Sequence, residues 1–279
     1  MTTIIREKRL ISLNSNNATS YYNGTYLSDL SFDFLSILIP DKSIIYVEGG
    51  VQSAQIPVSF YNIDTTNNVF NYRISGVNFN IQIPEGNYNY ITLTNAMTTQ
   101  FAINGHIFTY SLNQSSNILT MTYTSAGSWQ EIQPGSIYYI LGFNSNTSYT
   151  ITANTFTFPE LFNLLGKKKL KIYSTNLAID SSDSVGNSTN NLIETLSVNQ
   201  PSFGMIIYNN IDSTYGHLKT SYLSTIDISI RDELNNFINF NNINWTMTIV
   251  LIIYKRLDTT MIPLELGSPP YDGGDYVQV

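Results

Sequence analysis

The chain has no cysteine, two histidines, two tryptophans and few charges in 279 residues. Without cysteine there are no disulfide staples, thiolate metal ligands or cysteine nucleophile, and a reducing compartment fits. His106 and His217 each stand without a second ligand at metal spacing, so turn or edge-strand positions are expected, with no metal site and no cofactor. Charged residues make up only 12%, and the formal net charge of −7 argues against a nucleic-acid binder, because phosphate recognition needs clustered Lys and Arg. The longest apolar stretch, Ile249 to Tyr254, is far short of the roughly 20 residues that span a bilayer. Met1 to Leu10 holds Arg6, Glu7, Lys8 and Arg9 with no apolar run behind them, so neither a signal peptide nor a membrane anchor is expected to begin here. A soluble, non-secreted protein with no membrane insertion is expected.

What is present is a hydrophobic set of 42% and a polar remainder dominated by Asn, Ser and Thr. Such a weakly charged surface favours packing against copies of itself over electrostatic steering. Tyr occurs 20 times, and its ring can be buried while its hydroxyl stays hydrogen-bonded at an interface, although compositional drift would also explain the count.

Periodicity points to strands. Trp245, Met247, Ile249, Leu251 and Ile253 fall on one face, as do Ile226, Ile228 and Ile230 opposite Asp227, Ser229 and Arg231. From Val250 both faces become apolar, which predicts a central strand or one covered on its outer side. Further strands are predicted at Leu30 to Ile39, Ser43 to Val47 ending at Gly49-Gly50, Gln55 to Asn62, Lys169 to Ser174, Leu177 to Ile179, Ile193 to Val198 and Phe203 to Tyr208. Val69 to Ile74 and Val77 to Ile83 form a hairpin at Ser75-Gly76, and Phe108 to Leu112 pairs with Leu119 to Tyr123 in a second. Tyr90, Leu93, Met97 and Phe101 recur at three and four residues, which predicts one short helix lying on a sheet. Phe158 to Leu165 reads as a helical turn, and Ser181 to Asn191 as a polar loop. Turn signals every 8 to 12 residues argue for an all-β, two-sheet sandwich. The expected organisation is an extended N-terminal arm at 1–26, one β-domain at 27–257 with room for an insertion, and an extended tail at 258–279.

The order Gln55-Ile-Pro-Val-Ser-Phe-Tyr-Asn62, Ile83-Pro-Glu-Gly-Asn-Tyr88, the helix with Leu93, Leu141-Gly-Phe143, Phe203-Gly-Met-Ile-Ile-Tyr-Asn-Asn210, Ile226-Asp-Ile-Ser-Ile-Arg-Asp232 and Trp245-Thr-Met247 resembles the penton and minor capsid proteins of virophages and Polinton-like viruses. Their order across residues 26–256 carries the resemblance. It implies a single jelly roll, with two antiparallel sheets, standing as a homopentamer at the icosahedral fivefold vertex, surrounded by a double-jelly-roll major capsid protein. It also implies an N-terminal arm reaching under neighbours, so deletion of Met1 to Tyr26 is expected to leave a folded domain.

Chemistry-bearing motifs are sparse. Lys167, Lys168, Lys169 and Lys171 form the one basic cluster: an inward patch touching packaged nucleic acid or an acidic neighbour, or the wet face of a strand in which Leu170 and Ile172 alternate with lysines. Asp180 and Asp183 lack calcium-loop spacing, and the adjacent Asp232-Glu233 does not supply two carboxylates facing a shared sugar. Asn-x-Ser/Thr triplets at Asn17, Asn23, Asn113, Asn146, Asn187 and Asn244 are what this composition yields by chance. Gly273 and Gly274 after Tyr271-Asp272 are a candidate processing site for a capsid maturation protease, or simply a flexible tail. Catalysis has no positive sign in the sequence. The alternative function is an adhesin or carbohydrate-binding β-sandwich using tyrosines at loop ends.

Overall fold

The computed structural model describes residues 3–39, 41–177, 191–212, 215–218 and 222–257. In chain order the elements are β1 (Thr3–Asn14), β2 (Ser20–Tyr21), β3 (Asp29–Leu38), β4 (Ile44–Pro57), β5 (Val69–Ile74), β6 (Val77–Gln82), α1 (Tyr90–Ile103), β7 (Phe108–Asn113), β8 (Ile118–Tyr123), β9 (Trp129–Gln133), α2 (Tyr138–Leu141), β10 (Tyr149–Thr150) and β11 (Thr155–Thr157). They continue with β12 (Lys169–Tyr173), β13 (Leu192–Ser197), β14 (Met205–Asn209), β15 (Gly216–His217), β16 (Leu223–Arg231) and β17 (Thr246–Leu257).

The period-two strands bury the faces their patterns announce. Ile226, Ile228 and Ile230 of β16 meet Met247, Ile249, Leu251 and Ile253 of β17 in one core, which also takes Trp245. That core lies between two antiparallel sheets, β1-β17-β4-β14 with β15 added to β4, and β13-β12-β16-β3-β2. β17 is central, between β1 and β4, and its outward Val250 and Ile252 are buried as well, as the doubly apolar pattern required.

The expectation of two sheets is corrected: the described residues form four, because 58–168 builds a core of its own. Sheets β10-β9-β5-β6 and β11-β8-β7 enclose Phe70, Tyr72, Phe108, Met121 and Trp129, and α1 closes the core with Leu93, Met97 and Phe101. The helix starts where Asn89 accepts from Thr92 N while the Thr92 hydroxyl accepts from Asn89 N, a reciprocal cap that satisfies two otherwise orphaned donors. The Ser75-Gly76 hairpin is present, with both residues at positive φ, 50° and 85°.

The extended N-terminal arm, with a strand-like piece expected at Ile4 to Leu13, lies along the sandwich: β1 pairs with β17 without interruption from Thr3↔Leu257 to Asn14↔Thr246, and Ser15 donates to Trp245 O while its hydroxyl accepts from Trp245 N. The polar, charged face of β1 marks an edge strand rather than a loose segment. Two further expectations change. Gly49-Gly50 does not end a strand, since β4 runs through it. A Cβ at Gly49 would lie 3.0 Å from Leu251 Cδ2 and 3.3 Å from Leu218 Cδ2, so glycine is needed there for close packing, not for a turn. Second, Phe158 to Leu165 forms no helical turn but an irregular strap, whose amides bond outward: Glu160 N to Gly142 O, Phe162 N to Asn117 O and Asn163 N to Ile140 O. Gly142, at φ 95°, caps α2, and a Cβ there would sit 2.2 Å from Glu160 O. The expected Leu177 to Ile179 strand and the Ser181 to Asn191 loop fall largely outside the described residues, as does the tail at 258–279.

Candidate functional site

Three surfaces can make contacts: the two lateral edges of the sandwich, and the unit formed by 58–168. The chain leaves β4 and returns to β12 at the end of the sandwich opposite the Thr3↔Leu257 pair. A strand the length of β17 spans ~40 Å, so the inserted unit and the Thr3↔Leu257 pair mark opposite poles.

The segments that enter and leave the inserted unit are tied to each other. Asn62 Nδ2 donates to Tyr88 O at 2.8 Å and Leu164 O at 3.2 Å, while its Oδ1 accepts from Tyr88 N at 2.9 Å. Lys167 Nζ lies 2.6 Å from Asp64 Oδ2, the two side chains being only 10% and 17% exposed. Burial by itself would raise the Asp64 carboxyl; the Lys167 charge and the Lys167 and Thr66 hydrogen bonds outweigh it and hold the group below the usual carboxylate range.

The basic cluster is therefore divided by its surroundings. Lys167 belongs to the buried pair, and Lys171 is buried with Nζ donating to Glu233 O at 3.2 Å. Lys168 and Lys169 are exposed, with the Lys168 amide on the Glu233 carboxylate. Asp232 accepts from Leu234 N, Asn236 N and Asn236 Nδ2, so its carboxylate shapes a turn. His106 is buried with Nδ1 2.8 Å from the Tyr72 hydroxyl, and burial lowers its pKa; the same burial pushes Tyr72 up to about 12. His217 sits on β15, edge-on to Tyr46. Among the described residues no three His, Asp or Glu side chains gather as metal ligands. Asp180, Asp183, Asn187, Gly273 and Gly274 lie outside the described residues.

Each lateral edge joins the two sheets differently. On one side the Tyr208 hydroxyl of β14 donates to Glu194 of β13. Exposed Phe203, Met205, Ile207 and Ile211 surround that edge. On the other side Arg9 of β1 donates to Ile37 O of β3 at 2.6 Å and pairs with Glu7, which Lys255 also contacts at 2.8 Å. Ile4, Leu10, Leu35 and Ile39 are exposed along this side.

The inserted unit carries an open groove of about 770 Å³ between the start of α1 and the strap, lined by Tyr88, Tyr90, Tyr139, Leu161, Leu164 and several asparagines. Sequence reasoning missed this groove. Its tyrosines are scattered over 50 residues, and the one available signal was the near absence of charge: Glu131 is the single charged residue between Glu85 and Glu160.

No family profile matches the chain, and no curated protein matches it. Among solved structures the mavirus penton protein is similar at 14% identity, with a TM-score of 0.47, over 91% of this chain and 100% of that one.

Proposed function

We propose that the chain is a structural capsid protein, a single jelly roll with one insertion, forming homopentamers at icosahedral fivefold vertices within a shell of double-jelly-roll major capsid protein. The observation that carries this is the order of strand pairing. Taking β1, β3, β4, β12, β13, β14, β16 and β17 as strands one to eight, the sheets pair one with eight, two with seven, three with six and four with five, all antiparallel. Successive pairs alternate between the two sheets. That is the wrapping of a jelly roll, in which a long hairpin is rolled into two Greek keys. Residues 58–168 then occupy the connection between strands four and three of that wrap.

A closed ring needs a heterologous contact, one side of a subunit meeting a different side of the next. The edges at β13/β14 and β1/β3 are two such sides, each bearing large exposed apolar residues. With the Thr3↔Leu257 pair at one pole and the insertion at the other, the subunit is polar along its long axis, as a vertex protein with an inner and an outer face requires.

The test is sedimentation and negative-stain imaging of the purified chain over a wide concentration range. Rings of five, with a mass five times 31.4 kDa, are expected. Ile207→Lys at one edge or Leu10→Lys at the other should leave folded subunits that no longer close. Particles of any other symmetry, or rings unaffected by both substitutions, would remove the proposal.

A further inference from the structure

The 86–159 stretch of the inserted unit has an unusual surface. It contains one charged residue, Glu131, and its exposed positions are filled mostly by Thr, Ser, Asn, Gln and Tyr, with Ile91, Ile103 and Ile107 among them. Helix α1 presents Asn95, Thr98 and Thr99 to solvent, with Ile91 and Ile103 near its two ends. The outer face of β11-β8-β7 is a hydroxyl array in register, Thr155 beside Thr122 beside Thr109 and Thr157 beside Thr120 beside Ser111. Neutral surfaces of this kind exclude partners recruited by charge, whether nucleic acid, acidic lipid or a basic or acidic peptide. Tyr, Ser and Asn are instead the side chains of adaptable recognition, a rigid amphipathic ring combined with short hydrogen-bonding groups.

On this unit the groove has the dimensions of a ligand site, about 770 Å³ against a usual range of roughly 300–1,000 Å³. Its walls combine phenol rings and leucines with amides, and carry one charge of each sign, Glu160 and Lys168. Tyr90 packs edge-on against Phe162 at 5.9 Å, which fixes its ring, and Tyr139 is held edge-on by Tyr138 at 4.8 Å. The hydroxyls of Tyr90 and Tyr139 have no hydrogen-bond partner among the described residues, whereas the Tyr88 hydroxyl is committed to Pro84 O at 2.8 Å. Asn117 uses its Nδ2 on Phe162 O and Asn163 its Oδ1 on Leu165 N, so the complementary amide atoms of both remain available. Fixed rings offer apolar faces, and around them stand free phenol and amide groups of both polarities. A sugar presents the same two features, C–H faces and a rim of hydroxyls that both donate and accept.

We propose that this groove binds a neutral oligosaccharide, which makes the inserted unit a glycan-recognition head at the pole opposite the Thr3↔Leu257 pair. An apolar protein segment would match Leu161 and Leu165, but it would leave the free tyrosine hydroxyls and asparagine amides without partners. This site does not depend on the ring or on the vertex position: a monomer would bind as well.

The experiment is a screen of the full-length chain against an immobilised panel of neutral, sialylated and sulfated oligosaccharides, then titration with the strongest neutral member. Retention of neutral members and their displacement by the same free sugar are expected. Leu161→Arg, at a position 59% exposed, places a charge in the groove without touching a core, and Tyr139→Ala removes one ring; each should weaken binding at least about tenfold. Tyr90→Phe, which keeps the ring and its packing, should weaken it less. Thr122→Val on the hydroxyl array should leave it unchanged. No neutral binder, a preference for sulfated or sialylated members, capture of peptides in place of sugars, or loss through Thr122→Val with the groove variants intact would each overturn the assignment. Thermal unfolding of every variant separates lost binding from lost folding.

Discussion

Replacing Lys167 by Met tests how far one buried ion pair, Lys167 with Asp64, holds together the entering and leaving ends of the inserted unit. At 2.6 Å, with side chains 10% and 17% exposed, the pair is shielded from the screening that makes surface pairs negligible. Removing one partner of a buried pair costs about 3–5 kcal/mol, because the remaining charge is left uncompensated. Asp64 retains two hydrogen bonds here, from Thr66 N at 2.9 Å and Thr66 Oγ1 at 2.5 Å, so the lower end of that range applies, about 3 kcal/mol. Lys167→Met with Asp64→Asn removes both charges and should lie within about 1 kcal/mol of the parent, giving a coupling energy well above the noise of a double-mutant cycle.

The pH dependence carries a sign that packing loss alone would not produce. In the parent the lowered Asp64 pKa supplies stability that is complete above the ordinary carboxylate range and lost as pH falls through the folded value. Without Lys167, burial is opposed only by the two Thr66 hydrogen bonds and the carboxyl moves upward. Stability contributed by Asp64 then falls as pH rises, and the deficit of the variant narrows in acid. Urea unfolding read by fluorescence is well suited to this, because Trp129 lies in the core of the inserted unit and Trp245 in that of the sandwich. Both partners belong to 58–168, so in single-tryptophan versions of Lys167→Met the Trp129 transition should move to lower urea while the Trp245 transition moves less. A cost below about 0.5 kcal/mol, the scale of an ordinary surface substitution, with the two tryptophans still coincident, would refute the reasoning.

Gly49→Ala should destabilise by about 1–3 kcal/mol in chemical denaturation, since its Cβ meets Leu251 and Leu218; Gly50→Ala, whose nearest neighbour is Tyr215 at 3.4 Å, should cost less. Stability should decline as pH falls below about 6.5, because His106 is held neutral in the fold and takes up its proton more readily when unfolded; His106→Gln should flatten that slope in urea midpoints. Deletion of residues 1–14 should give aggregation rather than a folded domain, the opposite of the sequence-based expectation, because it uncovers the full length of β17; a monomeric product with native near-ultraviolet circular dichroism would contradict this.

Most strands could be read from the alternation of apolar residues, and α1 from its spacing of three and four, because those patterns are local consequences of which face is buried. Gly49-Gly50 and Phe158 to Leu165 were misread for a complementary reason. Glycine serves both turns and close approaches, and an apolar run of eight fits a helical turn or a strap, until the neighbouring elements are known. The four lysines looked like one patch because adjacency in sequence says nothing about burial. Asp64, which decides the fate of Lys167, is 103 residues away.

What the amino-acid sequence determined by itself is an all-β chain with one good helix, weak charge and no cysteine chemistry, since composition and short-range periodicity are properties of neighbouring residues. The tertiary structure alone decided that β1 is the partner of β17, that residues 58–168 close around their own core, and that tyrosines distant in the chain line one groove. Those outcomes depend on pairings between residues separated by up to 254 positions, as Thr3 and Leu257 are, and no local pattern encodes which edge a strand will meet.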